Sequence, residues 1–311
     1  MEVLYISRSN SDKPHPFVEE QAAALTKNHG VKIEHFLIRS GGVLGYLKAV
    51  NQLADYIKEN KTDIIHVHYG LSALVAVISR LILFKSIKII VTYHGSDINK
   101  ASERRISLFA ARFSSHNIVV SEKMLKYFRH NCTVIPCGVD TDIELNYREC
   151  TRKHYGWGNN DFVILFSSSF TREEKDPDFA FKVVDDLKRV SDKSIKFIEL
   201  KGYTREELTK LMQAADALIM CSKTEGSPQV VKEAILNSLP VISNDVGDVK
   251  AICSTADNCF IIPKKVDEYV KCLHFLSQTN PRIKNRLPVI EAFSNRLIST
   301  KLFNIYSQTL S

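Results

Sequence analysis

Two glutamates stand with seven residues between them in Asp216-Ala-Leu-Ile-Met-Cys221-Ser-Lys-Thr-Glu225-Gly226-Ser227-Pro228-Gln-Val-Val-Lys-Glu233-Ala-Ile-Leu-Asn237. The apolar run 217–221 suits a buried parallel strand. Ser227 can N-cap a following helix, and Pro228 suits its first position, where a missing N–H costs nothing. Val230, Val231, Ala234 and Ile235 give that helix an apolar face. Glu225 then lies in the loop at the carboxyl end of a strand, and Glu233 in the second turn of the helix. Between them, unpaired N–H groups and a positive helix end favour an anion. A carboxylate only accepts hydrogen bonds, so each glutamate can take a pair of vicinal hydroxyls. The layout suits a ligand with hydroxyls on both sides of a diphosphate, such as a nucleotide sugar. A capped helix with two solvated glutamates has the same local pattern.

The wider segment carries more. Ser222-Lys-Thr-Glu225-Gly-Ser-Pro, Val231-Lys-Glu233-Ala, Leu239-Pro240-Val-Ile-Ser243 and Asn244-Asp-Val-Gly247-Asp248 follow one another in order. This strongly resembles the signature of the family 4 retaining glycosyltransferases. The resemblance implies the GT-B fold: α/β, with two Rossmann-like doubly wound domains facing a cleft.

Other strand ends bear on the same chemistry. His94 follows the apolar run 87–93 in Tyr93-His94-Gly95-Ser96-Asp97. Gly95 allows close backbone approach, and Ser96 or Asp97 could cap a helix. The turn either places His94 at a ligand or merely starts a helix. In the resembling family, a histidine in a similar turn faces the sugar and the acceptor. Asp63-Ile-Ile-His66-Val-His68-Tyr69-Gly70 also ends a strand and resembles a family stretch. His68 is expected at the same crevice, with His66 one pleat deeper and structural. His68 and Asp97 are thereby assigned to the acceptor side. Val134-Ile-Pro136-Cys-Gly138-Val-Asp140 resembles the family's domain junction, with Cys137 in place of the usual asparagine. Asp140-Thr-Asp142 spells a metal-holding motif of a different glycosyltransferase fold, and its linker position makes chance the better explanation.

Ser167-Ser-Ser-Phe170-Thr-Arg172-Glu-Glu-Lys175-Asp-Pro177 places two cations after another strand, a position suited to a diphosphate leaving group. Lys175 matches the family's lysine, whereas the family's arginine falls on Phe170, so a role for Arg172 stays open. Lys201-Gly202-Tyr203-Thr204 corresponds to the family's base-lining region. No Gly-Asp-Gly turn lies between 190 and 200, so the second domain reads one βα unit short. No glycine pair follows the first strand.

These turns need alternating strands and helices to hold them. Strands are expected at 2–6, 31–38, 63–68, 87–93, 117–120 and 133–136, with helices at 17–27, 45–60, 71–84, 102–114 and 122–130. A polar stretch, 137–160, reads as a linker. A second series follows, with strands at 162–167, 195–200, 217–221, 240–243 and 259–262, and helices at 179–190, 206–215 and 267–277. Repeated βα units imply parallel, doubly wound sheets. The expected domains are 1–148 and 149–288. A helix of about 289–311 ends the chain, and the resemblance implies that it crosses back onto the first domain.

At 311 residues, with 44% hydrophobic and 25% charged residues, the chain has the length and composition of two globular domains. Seven scattered cysteines without a C-x-x-C pair suggest reduced thiols and a cytoplasmic setting, and no zinc-ligand spacing is present. No leader pattern is visible. The apolar tract 71–91 is interrupted by Arg80, Lys85 and Lys88, a poor membrane span. Of the net charge of +7, +5 falls before residue 149. Basic and apolar residues mix in Arg80-Leu-Ile-Leu-Phe-Lys85 and Arg104-Arg105-Ile-Ser-Leu-Phe, followed by Arg112, Lys123, Lys126 and Arg129. This reads either as a surface for anionic lipid on the inner face of a membrane or as ordinary solvated helix faces. No nucleic-acid motif accompanies the charge.

The expected function is sugar transfer from a nucleotide diphosphate sugar to a glycan or lipid-linked acceptor, in surface polysaccharide synthesis. The resemblance implies retention of configuration without a metal or other cofactor. In that reading Lys175 and the N–H groups before Val231 stabilise the departing diphosphate. Glu233 holds the ribose, and Glu225 with Gly226 and Ser227 holds the sugar. His94 lies on the opposite wall. Arg172, Gly202, Tyr203 and Val230 complete the donor side. The alternative is an inactive nucleotide-sugar or glycan-binding partner with the same fold. A dinucleotide-dependent oxidoreductase is disfavoured, because no G-x-G-x-x-G follows a strand.

Overall fold

The first series of elements comprises β1 (Glu2–Arg8), α1 (Pro16–His29), β2 (Lys32–Ile38), α2 (Gly42–Glu59), β3 (Ile64–His68) and α3 (Gly70–Leu83). It continues with β4 (Lys88–Tyr93), α4 (Ser96–Asn99), α5 (Ala101–Ala111), β5 (His116–Val119), α6 (Glu122–Leu125) and β6 (Cys132–Val134). The structure is a computed structural model and describes residues 1–39, 41–129 and 131–311. The strands form a parallel sheet of order β2-β1-β3-β4-β5-β6. Alternate residues of β1, β3 and β4 feed two cores. Leu4, Ile6, Ile65, Val67, Ile89 and Val91 pack with residues of α2, α3 and α5. Val3, Tyr5, Ile64 and Ile90 pack on the other face. Burial on both faces explains why these strands read as continuous apolar runs. Each fully buried Leu, Ile or Val contributes about 1.5–3 kcal/mol.

The second series is α7 (Arg148–His154), β7 (Asp161–Phe166), a 3-10 turn (Glu173–Lys175), α8 (Pro177–Val190), β8 (Ser194–Glu199), α9 (Arg205–Ala214) and β9 (Ala217–Met220). It ends with α10 (Gln229–Leu236), β10 (Val241–Ser243), α11 (Val249–Cys253), β11 (Cys259–Ile261), α12 (Val266–Thr279) and α13 (Leu287–Phe293). Its sheet is parallel, in the order β11-β10-β9-β7-β8. The direction of strand addition reverses at β7, so loops after β7 and β9 flank a switch point, where ligands of such sheets bind.

The last helix, α14 (Asn295–Leu310), belongs to the first unit. Ile298, Leu302, Ile305 and Tyr306 share a core with Val18 and Leu25 of α1. The units are Met1–Gly138 with Asn295–Ser311, and Val139–Ser294.

Several elements differ from expectation. The first boundary falls at Gly138 in place of 148, because the Tyr147 N–H donates to Gln213 Oε1 at 2.9 Å and Arg148 pairs with Asp216 at 2.6 Å. The supposed linker contains α7, a helix without an apolar stripe that is held by side-chain bonds from Arg148 and Arg152. The tail is two helices, because Ser294 adopts φ −59 and ψ 140 between α13 and α14. The 122–130 helix is a single turn, α6, and its last residue, His130, lies outside the described residues, as does Ser40.

Candidate functional site

In the second unit, the loop between β9 and α10 carries Glu225. Its Oε1 accepts from Lys175 Nζ at 2.5 Å and from Ser222 Oγ at 2.7 Å. The pair is deep, with 10% and 11% of the two side chains exposed. Lys175 arrives from the 3-10 turn after β7, and Cys221 Sγ donates to its carbonyl at 3.4 Å. The two strand-end loops are thus bonded to each other. Gly247, at φ +53, packs on the same loop. A Cβ there would stand 2.4 Å from the Gly226 carbonyl oxygen and 2.9 Å from Glu225 Cβ. The Asp248 N–H donates to that carbonyl at 3.0 Å.

The start of α10 differs from the expected cap. Pro228 occupies the N-cap position and the helix has no side-chain cap. Ser227 Oγ instead accepts from the buried Lys232 Nζ at 2.8 Å, and that ammonium lies 4.3 Å from the Phe293 ring centre. Lys232 therefore holds Ser227 away from capping. Val231 is fully buried, which leaves its backbone as the part able to meet a ligand, while Val230 is half-buried.

Glu233 pairs with Arg205 Nη1 at 2.5 Å. Burial pushes the Glu233 carboxyl above its ordinary value, and the Arg205 charge and hydrogen bond oppose that rise. Arg205 opens α9, just after the capping box of Thr204 and Glu207. It is absent from the sequence-derived site. A cation in a first helical turn opposes the helix dipole, and that misfit was the available signal. Gly202, at φ +81, faces open space, and Tyr203 beside it is half-buried.

Arg172 bonds Glu174 at 2.6 Å and Ser168 Oγ at 3.3 Å, exposed on the loop that carries Lys175. Phe170 packs between Phe166 and Phe181, with ring centres at 5.2 and 4.7 Å. It is half-buried against the core and presents no charge where the family arginine would stand.

In the first unit, His68 and His94 come together: His68 Nδ1 and His94 Nε2 share a proton at 3.0 Å. Cys137 Sγ lies 3.7 Å from His94 Nδ1. The rings of Phe17 and Tyr69 flank His94, with centres at 4.8 and 4.7 Å. Tyr69 holds φ 75, unusual for a bulky residue. His68 is fully buried, contrary to the expectation that it faces a crevice, because β3 is central in the sheet and Tyr5 and Phe17 cover its ring. His66 is buried as expected. It bonds Thr92 Oγ1 at 2.7 Å and the Tyr306 hydroxyl. Burial holds His66 and His94 down to about 3, and His68 well below its ordinary value.

Asp97 is a positioning residue. Its carboxylate accepts the N–H groups of His94 (3.1 Å), Gly95 (3.0 Å) and Gly70 (3.2 Å), joining the turns after β3 and β4. Neither Ser96 nor Asp97 caps α4. Burial pushes the Asp97 carboxyl up to about 7, against the pull of these backbone donors. Among the described residues, no three His, Cys, Asp or Glu side chains form a metal-ligand group, and no helix is long and apolar enough to cross a membrane.

Comparison with known proteins bears on both units. Residues 2–143 match the model of Glycosyltransferase Family 4, and residues 182–279 that of Glycosyl transferases group 1. The chain is 24% identical over 243 residues to TuaC of Bacillus subtilis, named for teichuronic acid biosynthesis, covering 68% of this chain and 60% of that protein. It is 21% identical over 280 residues to the UDP-Gal:alpha-D-GlcNAc-diphosphoundecaprenol alpha-1,3-galactosyltransferase of Escherichia coli, covering 76% and 72% of the two chains. The chain thus spans about 60% of the length of the first of these relatives. Among solved structures, Anabaena HepE with UDP and glucose superposes with a TM-score of 0.73 at 17% identity, covering 99% of this chain and 100% of that one. The sucrose-phosphate synthase of Thermosynechococcus elongatus gives 0.76 at 15% identity, with 99% and 98% covered. Matched across both units by sequence and by fold, the chain belongs to the family 4 glycosyltransferases of GT-B architecture.

Proposed function

We propose that the protein transfers a sugar from a nucleotide diphosphate sugar to a glycan or lipid-linked acceptor, with retention at the anomeric carbon and without a metal ion. The observation that carries this reading is the buried Lys175–Glu225 pair beside the uncapped start of α10. A diphosphate offers Lys175 a partner of higher charge, which frees Glu225 to accept from sugar hydroxyls. The first-turn N–H groups of α10 add to the phosphate site. Glu233, released from Arg205, accepts from the ribose hydroxyls. The bond from the anomeric carbon to the phosphate oxygen breaks as the bond to the acceptor oxygen forms on the same face. The acceptor proton passes to the leaving phosphate. His94, held by His68 and Asp97, serves the acceptor side.

HepE was solved with UDP and glucose, and the Escherichia coli relative is named for a diphospholipid acceptor. These names support a nucleotide donor and a lipid-linked acceptor. The reading sets the protein in the cytoplasm, at an anionic inner face of a membrane. The setting is surface polysaccharide synthesis, as in the naming of TuaC.

Donor hydrolysis and transfer by wild type, Glu233→Ala and Lys175→Ala test the reading. If both variants bind and turn over donor like wild type, the site assignment is wrong. A second reading, a binding or partner subunit without activity, is favoured by the uncharged Phe170, packed on Phe166. Calorimetry that finds donor binding, with no hydrolysis or transfer by the same sample, would decide for it.

A further inference from the structure

Helix α3 carries two apolar stripes. One faces the core through Ala73, Ala76 and Val77. The other, Leu71, Leu74, Ile78, Leu81 and Ile82, repeats at helical spacing and is half-buried to exposed. A helix at a protein surface ordinarily carries polar residues there, and Arg80 is the one charged residue of α3. Its neighbours continue the pattern. On α5 and just beyond it, Ile106, Phe109 and Phe113 are exposed, and on the first turns of α2 so are Leu44 and Leu47. Arg80 Nη2 donates to the Phe113 carbonyl, and Lys85 Nζ to the Ile57 carbonyl, so α3 is fixed to the ends of both neighbours. Among the described residues, sixteen large apolar side chains are exposed, and eight of them belong to these three helices and their ends. Scattered singly they would need no explanation; gathered on adjacent helices they mark a docking face.

Phe84 sharpens the case. It is 96% exposed and sits at the C-cap of α3 with φ 50. Glycine or asparagine is the ordinary choice at such a left-handed position, because a Cβ is strained there. A bulky aromatic at that position costs stability and covers nothing in the fold.

The charge on this face selects the partner. Between Gly70 and Ser115 the sequence has seven Lys or Arg and two acidic residues. One of the acids, Asp97, is buried, and the other, Glu103, faces Lys100 at 3.5 Å. Arg105 and Arg112 are exposed beside Ile106, Phe109 and Phe113. Apolar side chains among exposed cations match a surface with anionic headgroups over hydrocarbon. We propose that the outer face of α2, α3 and α5, with Phe84 as its deepest insert, docks on an anionic lipid bilayer. The proposal rests on the membrane setting inferred above. It is read without donor or acceptor, so its failure and a failure of sugar transfer are separate results.

The test is flotation of the full chain with vesicles of phosphatidylethanolamine and phosphatidylglycerol, against vesicles of phosphatidylcholine. Wild type should float with the anionic vesicles, less with the neutral ones, and less as salt rises. Phe84→Asn should lower binding about tenfold or more while leaving the melting temperature unchanged or raised, since asparagine suits the left-handed position. That pairing separates lost docking from lost folding. Arg105→Gln with Arg112→Gln should lower anionic binding roughly 30-fold. The proposal is overturned if wild type does not float with anionic vesicles, or if all these variants float as wild type does. It is also overturned if sedimentation velocity finds a dimer that Phe84→Asn dissolves, because the face would then bind a second copy.

Discussion

The two units build their strand-end sites from opposite materials. In the first, the turns after β3 and β4 are held by rings, neutral histidines and one carboxyl bonded to three backbone N–H groups. In the second, the loops after β7, β8 and β9 are held by charge pairs, Lys175–Glu225 and Arg205–Glu233. A neutral ring network keeps its geometry without a ligand. A buried ion pair is exchangeable, since either partner can be satisfied by a ligand of the same charge as the one it loses. The first unit thus presents a fixed surface, and the second presents charges that a diphosphate can redistribute.

The sharpest way to break this contrast is to remove one member of a pair. Lys175→Ala should lower transfer by a factor of about 100 or more, because the leaving group loses its cation. It should also destabilise the second unit by about 3 kcal/mol, because Glu225 is left buried and unpaired. Lys175→Met with Glu225→Leu should recover most of that stability and none of the activity. Urea unfolding read at Trp157, the one tryptophan and a residue of the second unit, checks both statements. A double variant as unstable as the single one would mean that the pair is not the cause.

Gly247→Ala tests the loop itself. The left-handed φ and the approach to the Gly226 carbonyl should together cost on the order of 1–3 kcal/mol, with a rise in KM for donor as the Glu225 loop shifts. Wild-type stability and KM in this variant would show that the loop tolerates a side chain at 247.

Titration sharpens the contrast from the other side. The folded forms of His66 and His94 resist protonation down to about 3, and His68 is also held well below the ordinary histidine value of 6.5. The unfolded chain therefore binds more protons between pH 6.5 and 3, and these groups make the first unit less stable as pH falls through that window. Asp97 acts in the opposite sense. Its folded value of about 7 exceeds its ordinary 3.8, so its contribution is complete in acid and is lost as pH rises from 4 to 7. Three histidines outweigh one carboxyl, so near pH 5 hydrogen exchange corrected for intrinsic rate should open the strands of the first unit before Trp157 fluorescence changes. Trp157 responding first would reverse the comparison. The smallest expected effect is that of Ser227→Ala, about 1 kcal/mol, from the lost hydrogen bond of Lys232.

What could be read from the sequence follows the same division. The strand, loop and helix around Glu225 and Glu233 were legible because their signals are local: an apolar run, a turn and a helical stripe. The partners were not. Arg205 reaches Glu233 across separate βα units, and Lys232 takes Ser227 from the cap through a contact that no cap rule contains. The parity of β3 placed His66 and His68 on one face correctly, but how deep that face lies depends on rings from β1 and the α1 segment. Helix α7 was missed because its polar sequence offers no stripe, and its hold on the second unit is made by arginines bonded to Asp216.

The return of α14 bears on how the chain is made. The Tyr306 hydroxyl meets the Tyr5 hydroxyl at 3.0 Å and bonds His66, so the innermost layer of the first unit is finished by residues that follow the whole second unit in sequence. The second unit is continuous in sequence and can complete its core earlier. On a ribosome, the unit whose strands emerge first is therefore the one that waits, with one face of its sheet open until α14 has followed the second unit out.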